Sequence, residues 1–130
     1  MTPFGELKME AQAIKEFLEE PIPKTLSLIE EKGNMTVIYH ARTGEMLADA
    51  KSYLRSAMSR EVIEFIEKTL SEAKLSAKIQ NAFIDSVCNE EAHLVDLVER
   101  LNKTCKLQAE WMRSLMSNTR EEMKLAGYQV

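Results

Sequence analysis

The chain is poor in the residues that make turns. It has only 4 glycines and 3 prolines in 130 residues, where an average composition would supply roughly 16. A β-sandwich, a β-barrel or a repeated βαβ fold needs many tight turns, which glycine and proline usually form. The shortage therefore excludes most all-β and α/β folds. With 45% hydrophobic and 29% charged residues, the composition favours long helices around one core.

Excess positive charge and long apolar runs are also missing. The 17 basic and 21 acidic side chains give a net charge of −4, so the chain as a whole does not attract nucleic acid or an anionic membrane. No apolar run approaches the roughly 18 residues of a membrane span, and the glutamate-rich start does not resemble a targeting peptide. We expect a soluble, cytoplasmic protein with no membrane partner. We also expect its two cysteines, Cys88 and Cys105, to be reduced and buried.

Apolar residues at helical spacing predict the first elements. Residues 3–19 form an amphipathic helix, with Thr2 as its N-cap and Pro3 as its first residue, and prolines end it. Residues 20–34 are predicted to be a connector, with at most a short helix that ends at Gly33.

The rest of the chain is predicted to form two long helical segments. Residues 35–58 form a helix that continues over 60–74, with a possible interruption at Ser59. Residues 77–88 form another helix, which continues over 90–126. Two questions stay open: whether the last helix breaks at Cys88, and whether Gly44 marks a close helix crossing or is merely tolerated.

The most economical assembly is a single all-α domain. The two long segments fold back on each other as an antiparallel, coiled-coil-like hairpin, and the N-terminal helix covers one groove, which gives a three- to four-helix bundle. So short a covering helix would leave apolar surface exposed, and self-association is therefore expected. The candidate oligomer seam follows a near-heptad pattern on the last helix: Leu94, Val98, Leu101, Met112 and Leu115.

Catalytic patterns are not found in the sequence. It has no nucleophile elbow and no glycine-rich phosphate loop. Glu90 and His93 have the i, i+3 spacing of helical di-metal sites, but the second Glu-x-x-His that such a site needs is missing. A solvated helix face is therefore preferred to a metal site, and we expect neither an enzyme nor a cofactor.

A basic strip is the most informative charged feature. Lys106, Arg113, Arg120 and Lys124 fall on one side of the last helix. Such a strip could follow a phosphate backbone. The preferred interpretation is a solvated face matched by acidic segments of the same chain or of a neighbouring subunit.

Several short segments resemble small helical proteins that bacteriophages and prophages of gut bacteria encode. The resemblance spans most of the chain and is carried by Asn34-Met-Thr-Val37, Ala41-Arg-Thr-Gly44, Leu47-Ala-Asp-Ala-Lys51, Leu75-Ser-Ala77, Asp85-Ser86, Glu99-Arg-Leu-Asn-Lys-Thr-Cys105 and Met112-Arg-Ser-Leu115. That family has no assigned activity, so the resemblance implies no site residue. It implies a mobile-element setting, such as an accessory role in phage replication or recombination.

Three hypotheses about the function follow from the sequence. The leading hypothesis is a non-enzymatic helical scaffold or adaptor that forms homo-oligomers and binds another protein. The alternative is a nucleic-acid-binding accessory protein that uses the basic strip. A metal-binding bundle is the remote alternative.

Overall fold

The computed structural model describes the backbone of residues 1–69, 82 and 86–127. Side chains are described for the same residues except 65–69. The predicted corner near Ser76 and most of the predicted helix over residues 77–88 lie outside the described residues. In the described part the fold is all-α, as predicted, with three helices.

Helix α1 spans Phe4–Glu19. Its apolar residues follow steps of three and four, and Leu7, Ala11, Ile14 and Leu18 are all buried. The prediction of Thr2 as N-cap is wrong, because Pro3 holds that position and no side chain caps the helix. Thr2 instead bonds to α2 residues through its backbone and its hydroxyl.

Helix α2 spans Leu26–Thr69 without a break at Ser59. The predicted connector over residues 20–34 is therefore too long, since helix begins at Leu26 and passes through Gly33. Gly33 is buried, and a Cβ added there would lie 3.7 Å from the Met112 Cβ. Gly33 is thus the glycine at a close helix contact. Gly44, which the sequence offers as a candidate for such a contact, is exposed.

Helix α3 spans Asn89–Leu125. Ser86 and Val87 are helical but Cys88 is not, with φ −101° and ψ 23°, so the helix breaks at the point that the sequence left undecided. Gly127 ends α3 as predicted. Its φ of 86° is the left-handed conformation that glycine adopts without steric cost.

The long helices pack as an antiparallel hairpin. Gly33 lies against Met112 while Gly44 lies beside Asn102, so the position on α3 falls as the position on α2 rises. Helix α1 covers the hairpin on one side, and side chains of all three helices form the core: Leu7, Ala11, Ile14, Leu18, Met46, Ala50, Leu94, Val95, Val98, Leu101 and Cys105. At about 1.5 Å per residue, α1 is roughly 24 Å long and α2 roughly 66 Å, so much of the hairpin is left uncovered.

Within the described residues, none of the helices combines the length and the apolar character needed to cross a membrane.

Candidate interaction surfaces

An ion pair fixes the position of α1 on α2. Arg42 donates from Nε and Nη2 to the two carboxylate oxygens of Glu10, at 2.6 and 2.8 Å. The Arg42 hydrogen bond holds the pKa of Glu10 below its usual value. Arg42 also donates to the Thr2 hydroxyl, and Tyr53 donates to the Thr2 carbonyl at 2.8 Å. These contacts hold the start of the chain on α2.

Two polar side chains bind the carbonyls at the end of α1. Lys32 is only 7% exposed and donates to the carbonyls of Phe17 and Glu20, at 3.0 and 3.3 Å. Its ammonium also lies 4.6 Å from the centre of the Phe17 ring. Gln108 of α3 donates to the Leu18 carbonyl at 3.0 Å. The last carbonyls of a helix lack partners within its regular hydrogen-bond pattern, and here α2 and α3 supply donors to them. The Phe17 carbonyl also accepts from the Glu20 N–H at 3.3 Å.

A small polar cluster lies between α2 and α3. Asn102 donates to the Thr43 hydroxyl at 3.1 Å and to the His40 carbonyl at 3.0 Å. Burial raises the pKa of the neighbouring Cys105 thiol, which the Thr43 side chain contacts. Cys88 and Cys105 are both buried, as expected. The cluster links α2 and α3 at one level of the hairpin, and the raised pKa of Cys105 favours the thiol over the thiolate.

The predicted oligomer seam lies inside the chain. Leu94, Val98 and Leu101 belong to the core that α1 and α2 cover. Met112 is buried near Gly33, and Leu115 is partly buried. The four buried residues of the seam offer little surface to a second copy, while Leu115 is partly exposed.

The basic strip, defined as Lys106, Arg113, Arg120 and Lys124, is exposed along its length. None of the four forms a salt bridge with another described residue. The spacing of the strip places four cations along about 27 Å of helix surface. Glu110 lies one turn from both Lys106 and Arg113, so the strip is not purely cationic.

Glu90 and His93, the pair with metal-ligand spacing in the sequence, belong to no larger group of possible metal ligands among the described residues. Glu90 forms an ion pair with Lys8 of α1, and His93 lies exposed one turn further along α3. Among the described residues, no three His, Cys, Asp or Glu side chains are grouped so that they could hold a metal ion. The ion pair gives Glu90 a structural role in holding α1 against α3.

Two open grooves flank α1. One, of about 480 Å³, lies between α1 and α3 and is lined by residues that include Lys15, Leu97 and Arg100. The other, of about 250 Å³, lies at the corner between α1 and α2 beside Phe17 and Leu28. Both are shallow surface features that lie open to solvent.

Apolar side chains remain on the outer surfaces of both long helices. On α3, Leu107 and Trp111 are one turn apart and 65% and 53% exposed. On α2, Val37 and Ile38 are 50% and 57% exposed. Hydrophobic periodicity did not single out these residues, because each lies outside the stripe that forms the core.

Comparisons with known proteins give no relative for the chain. It matches no protein-family model, no curated protein and no solved structure.

Proposed function

We propose that the protein is a non-enzymatic helical scaffold or adaptor that associates with itself. The supporting observation is the exposed apolar surface on both long helices. Clustered apolar side chains at the surface of a small domain are typical of protein-binding sites. Helix α1 covers only one side of the hairpin, and the exposed residues on α2 and α3 provide two separate surfaces for partners.

Sedimentation velocity over a range of protein concentrations tests the self-association. The expected result is a sedimentation coefficient that rises with concentration to that of a dimer. A species that stays monomeric at the highest concentration would refute this part of the proposal.

Trp111 reports on the exposed apolar surface of α3, which it forms with Leu107, because it is the only tryptophan in the chain. An adaptor that uses Leu107 and Trp111 to hold another protein should show a blue shift of tryptophan emission when that protein binds. Replacement of Leu107 by Gln should weaken the complex and leave the fold intact, since the side chain is mostly exposed.

A nucleic-acid-binding role is the second candidate. It is supported by the exposure of the basic strip and by the absence of salt bridges from these four residues to others described. Binding through the strip would fall steeply with salt, because each neutralised phosphate releases counterions.

A further inference from the structure

The side of the hairpin opposite α1 carries an apolar stripe. On α2 it consists of Val37, Ala41, Gly44 and Ala48, all exposed. Three of these lie two positions before residues that face the core: Tyr39, whose ring contacts Phe17 of α1, and the buried Met46 and Ala50. Two positions correspond to about 200° around a helix, so the stripe lies on nearly the opposite side of α2 from these residues. The stripe and the neighbouring side of α3 are called the back face below.

The spacing of the stripe is that of a helix pairing seam. Its steps of four, three and four residues follow the heptad pattern by which two helices stay in contact. The side chains at its centre, Ala41 and Gly44, are small, so a second backbone could approach closely. No contact with the described residues explains the glycine at 44, since a Cβ there would meet nothing closer among them than Asn102 Nδ2 at 3.9 Å.

The charges at the ends of the stripe are self-complementary. Glu30 lies beyond one end and Arg55 beyond the other, each about 19 Å from a midpoint at residues 42–43. Both are exposed, and neither forms a salt bridge with another described residue. If α2 pairs with α2 of a second copy in antiparallel orientation about that midpoint, each Glu30 meets an Arg55 of the other copy.

The back face of α3 has the same symmetry. Its first half carries Glu99, which also pairs with Lys103 at 3.6 Å within the helix, and its second half begins with Lys106. The pair of Glu99 with Lys106 has its midpoint at residues 102–103. Antiparallel pairing about this point places each Glu99 opposite a Lys106 of the other copy.

The two midpoints lie at the same level of the molecule. Thr43 of α2 accepts a hydrogen bond of 3.1 Å from Asn102 of α3, so residues 42–43 and 102–103 are neighbours across the hairpin. A single two-fold axis at this level therefore places opposite charges of the two copies next to each other on both helices. The agreement is a second observation, independent of the apolar stripe.

We infer that two copies of the chain pack back face to back face as an antiparallel dimer, with the two-fold axis beside Gly44 and Asn102. This inference rests on the proposed self-association and specifies its surface. Two-fold dimers bury the same patch on both subunits, so each charge pair occurs twice.

Charge exchange tests the inference by sedimentation velocity. Arg55→Glu and Glu30→Arg should each weaken the dimer at least about tenfold, since each leaves like charges opposed at two places. The double variant Glu30→Arg/Arg55→Glu should restore the wild-type dissociation constant. Ala41→Glu, which places a charge at the centre of the stripe, should abolish the dimer. Ala13→Glu on the exposed side of α1 is the matched control and should have no effect.

The outcomes separate the inference from the proposed function. A wild-type dimer that Ala41→Glu leaves intact, or that the double variant does not restore after the single variants weaken it, would overturn the back-face interface while self-association stands. A wild-type protein that never dimerises would overturn both. Trp111 lies on another side of α3, so its emission should not change on dimerisation. A blue shift would place the interface at Leu107 and Trp111 and overturn the inference.

Discussion

Replacement of Lys32 by Met should destabilise the fold through the end of α1. Methionine keeps an unbranched apolar stem against Phe17 but removes the ammonium that binds the carbonyls of Phe17 and Glu20. The Phe17 carbonyl keeps the Glu20 N–H as a donor, so the loss falls mainly on the Glu20 carbonyl. A carbonyl left without a donor in a partly buried site costs about 1–3 kcal/mol. The lost contact with the aromatic ring adds about 0.5–1 kcal/mol, and relief of the desolvated charge offsets part of the total. The expected loss is therefore about 2 kcal/mol of the free energy of unfolding.

Urea unfolding followed by circular dichroism measures this loss. Lys24→Met is the control, because Lys24 is exposed and exposed substitutions usually change stability by less than about 0.5 kcal/mol. Both variants must be compared at one protein concentration, since self-association adds to the apparent stability. If Lys32→Met is no less stable than Lys24→Met, the capping contacts of Lys32 do not stabilise the fold and the reasoning is refuted.

Three further predictions concern α1, the glycines and the basic strip. Because the pKa of Glu10 is lowered by Arg42, its ion pair stabilises the fold above the ordinary carboxyl pKa and loses this effect as the pH falls through the lowered value. Between about pH 6 and pH 3, the free energy of unfolding should therefore fall more for the wild type than for Glu10→Gln. An equal fall in both proteins would contradict this prediction. Gly33→Ala should stabilise by up to about 1 kcal/mol through helix propensity, since the added Cβ lies 3.7 Å from that of Met112. Gly127→Ala should destabilise by about 1 kcal/mol because its φ is positive, and thermal melts of both variants would reveal the opposite signs. At about 150 mM salt, wild type should bind single-stranded DNA no more tightly than a variant with all four strip residues changed to Glu, and a salt-sensitive loss of binding in that variant would favour the nucleic-acid role.

The fold class follows from the sequence because apolar spacing and few turn residues act over the whole chain. The residue at which α2 begins cannot be predicted in the same way, because polar side chains face the interior in this part of the helix. Lys32 and Thr36 are both buried, and each satisfies its polar group locally. Lys32 binds the end of α1, while the Thr36 hydroxyl donates to the Lys32 carbonyl at 2.8 Å. A hydrophobic pattern does not identify a buried lysine such as Lys32, and the sequence therefore predicts a connector over residues 20–34.

The surfaces are harder to predict than the core for a related reason. The seam on α3 has the strongest heptad pattern, but Leu94, Val98 and Leu101 pack against α1 and α2. Periodicity indicates which residues a helix buries and does not indicate whether the partner is the same chain. The stripe from Val37 to Ala48 is weaker in hydrophobicity, and its significance depends on knowing that it lies opposite α1.

The proposed dimer and the nucleic-acid role compete for the same residues. Lys106 belongs to the basic strip, and in the antiparallel dimer it lies against Glu99 of the second copy. A phosphate backbone could follow the whole strip only after the dimer opens, so nucleic acid would bind the monomer alone and shift the equilibrium towards it. Sedimentation in the presence of single-stranded DNA should therefore leave the proportion of dimer unchanged if the protein is a scaffold. A decrease in the proportion of dimer as DNA is added would mean that the basic strip binds phosphate groups. The acidic half of α3 in the second copy would then compete with the DNA for the strip.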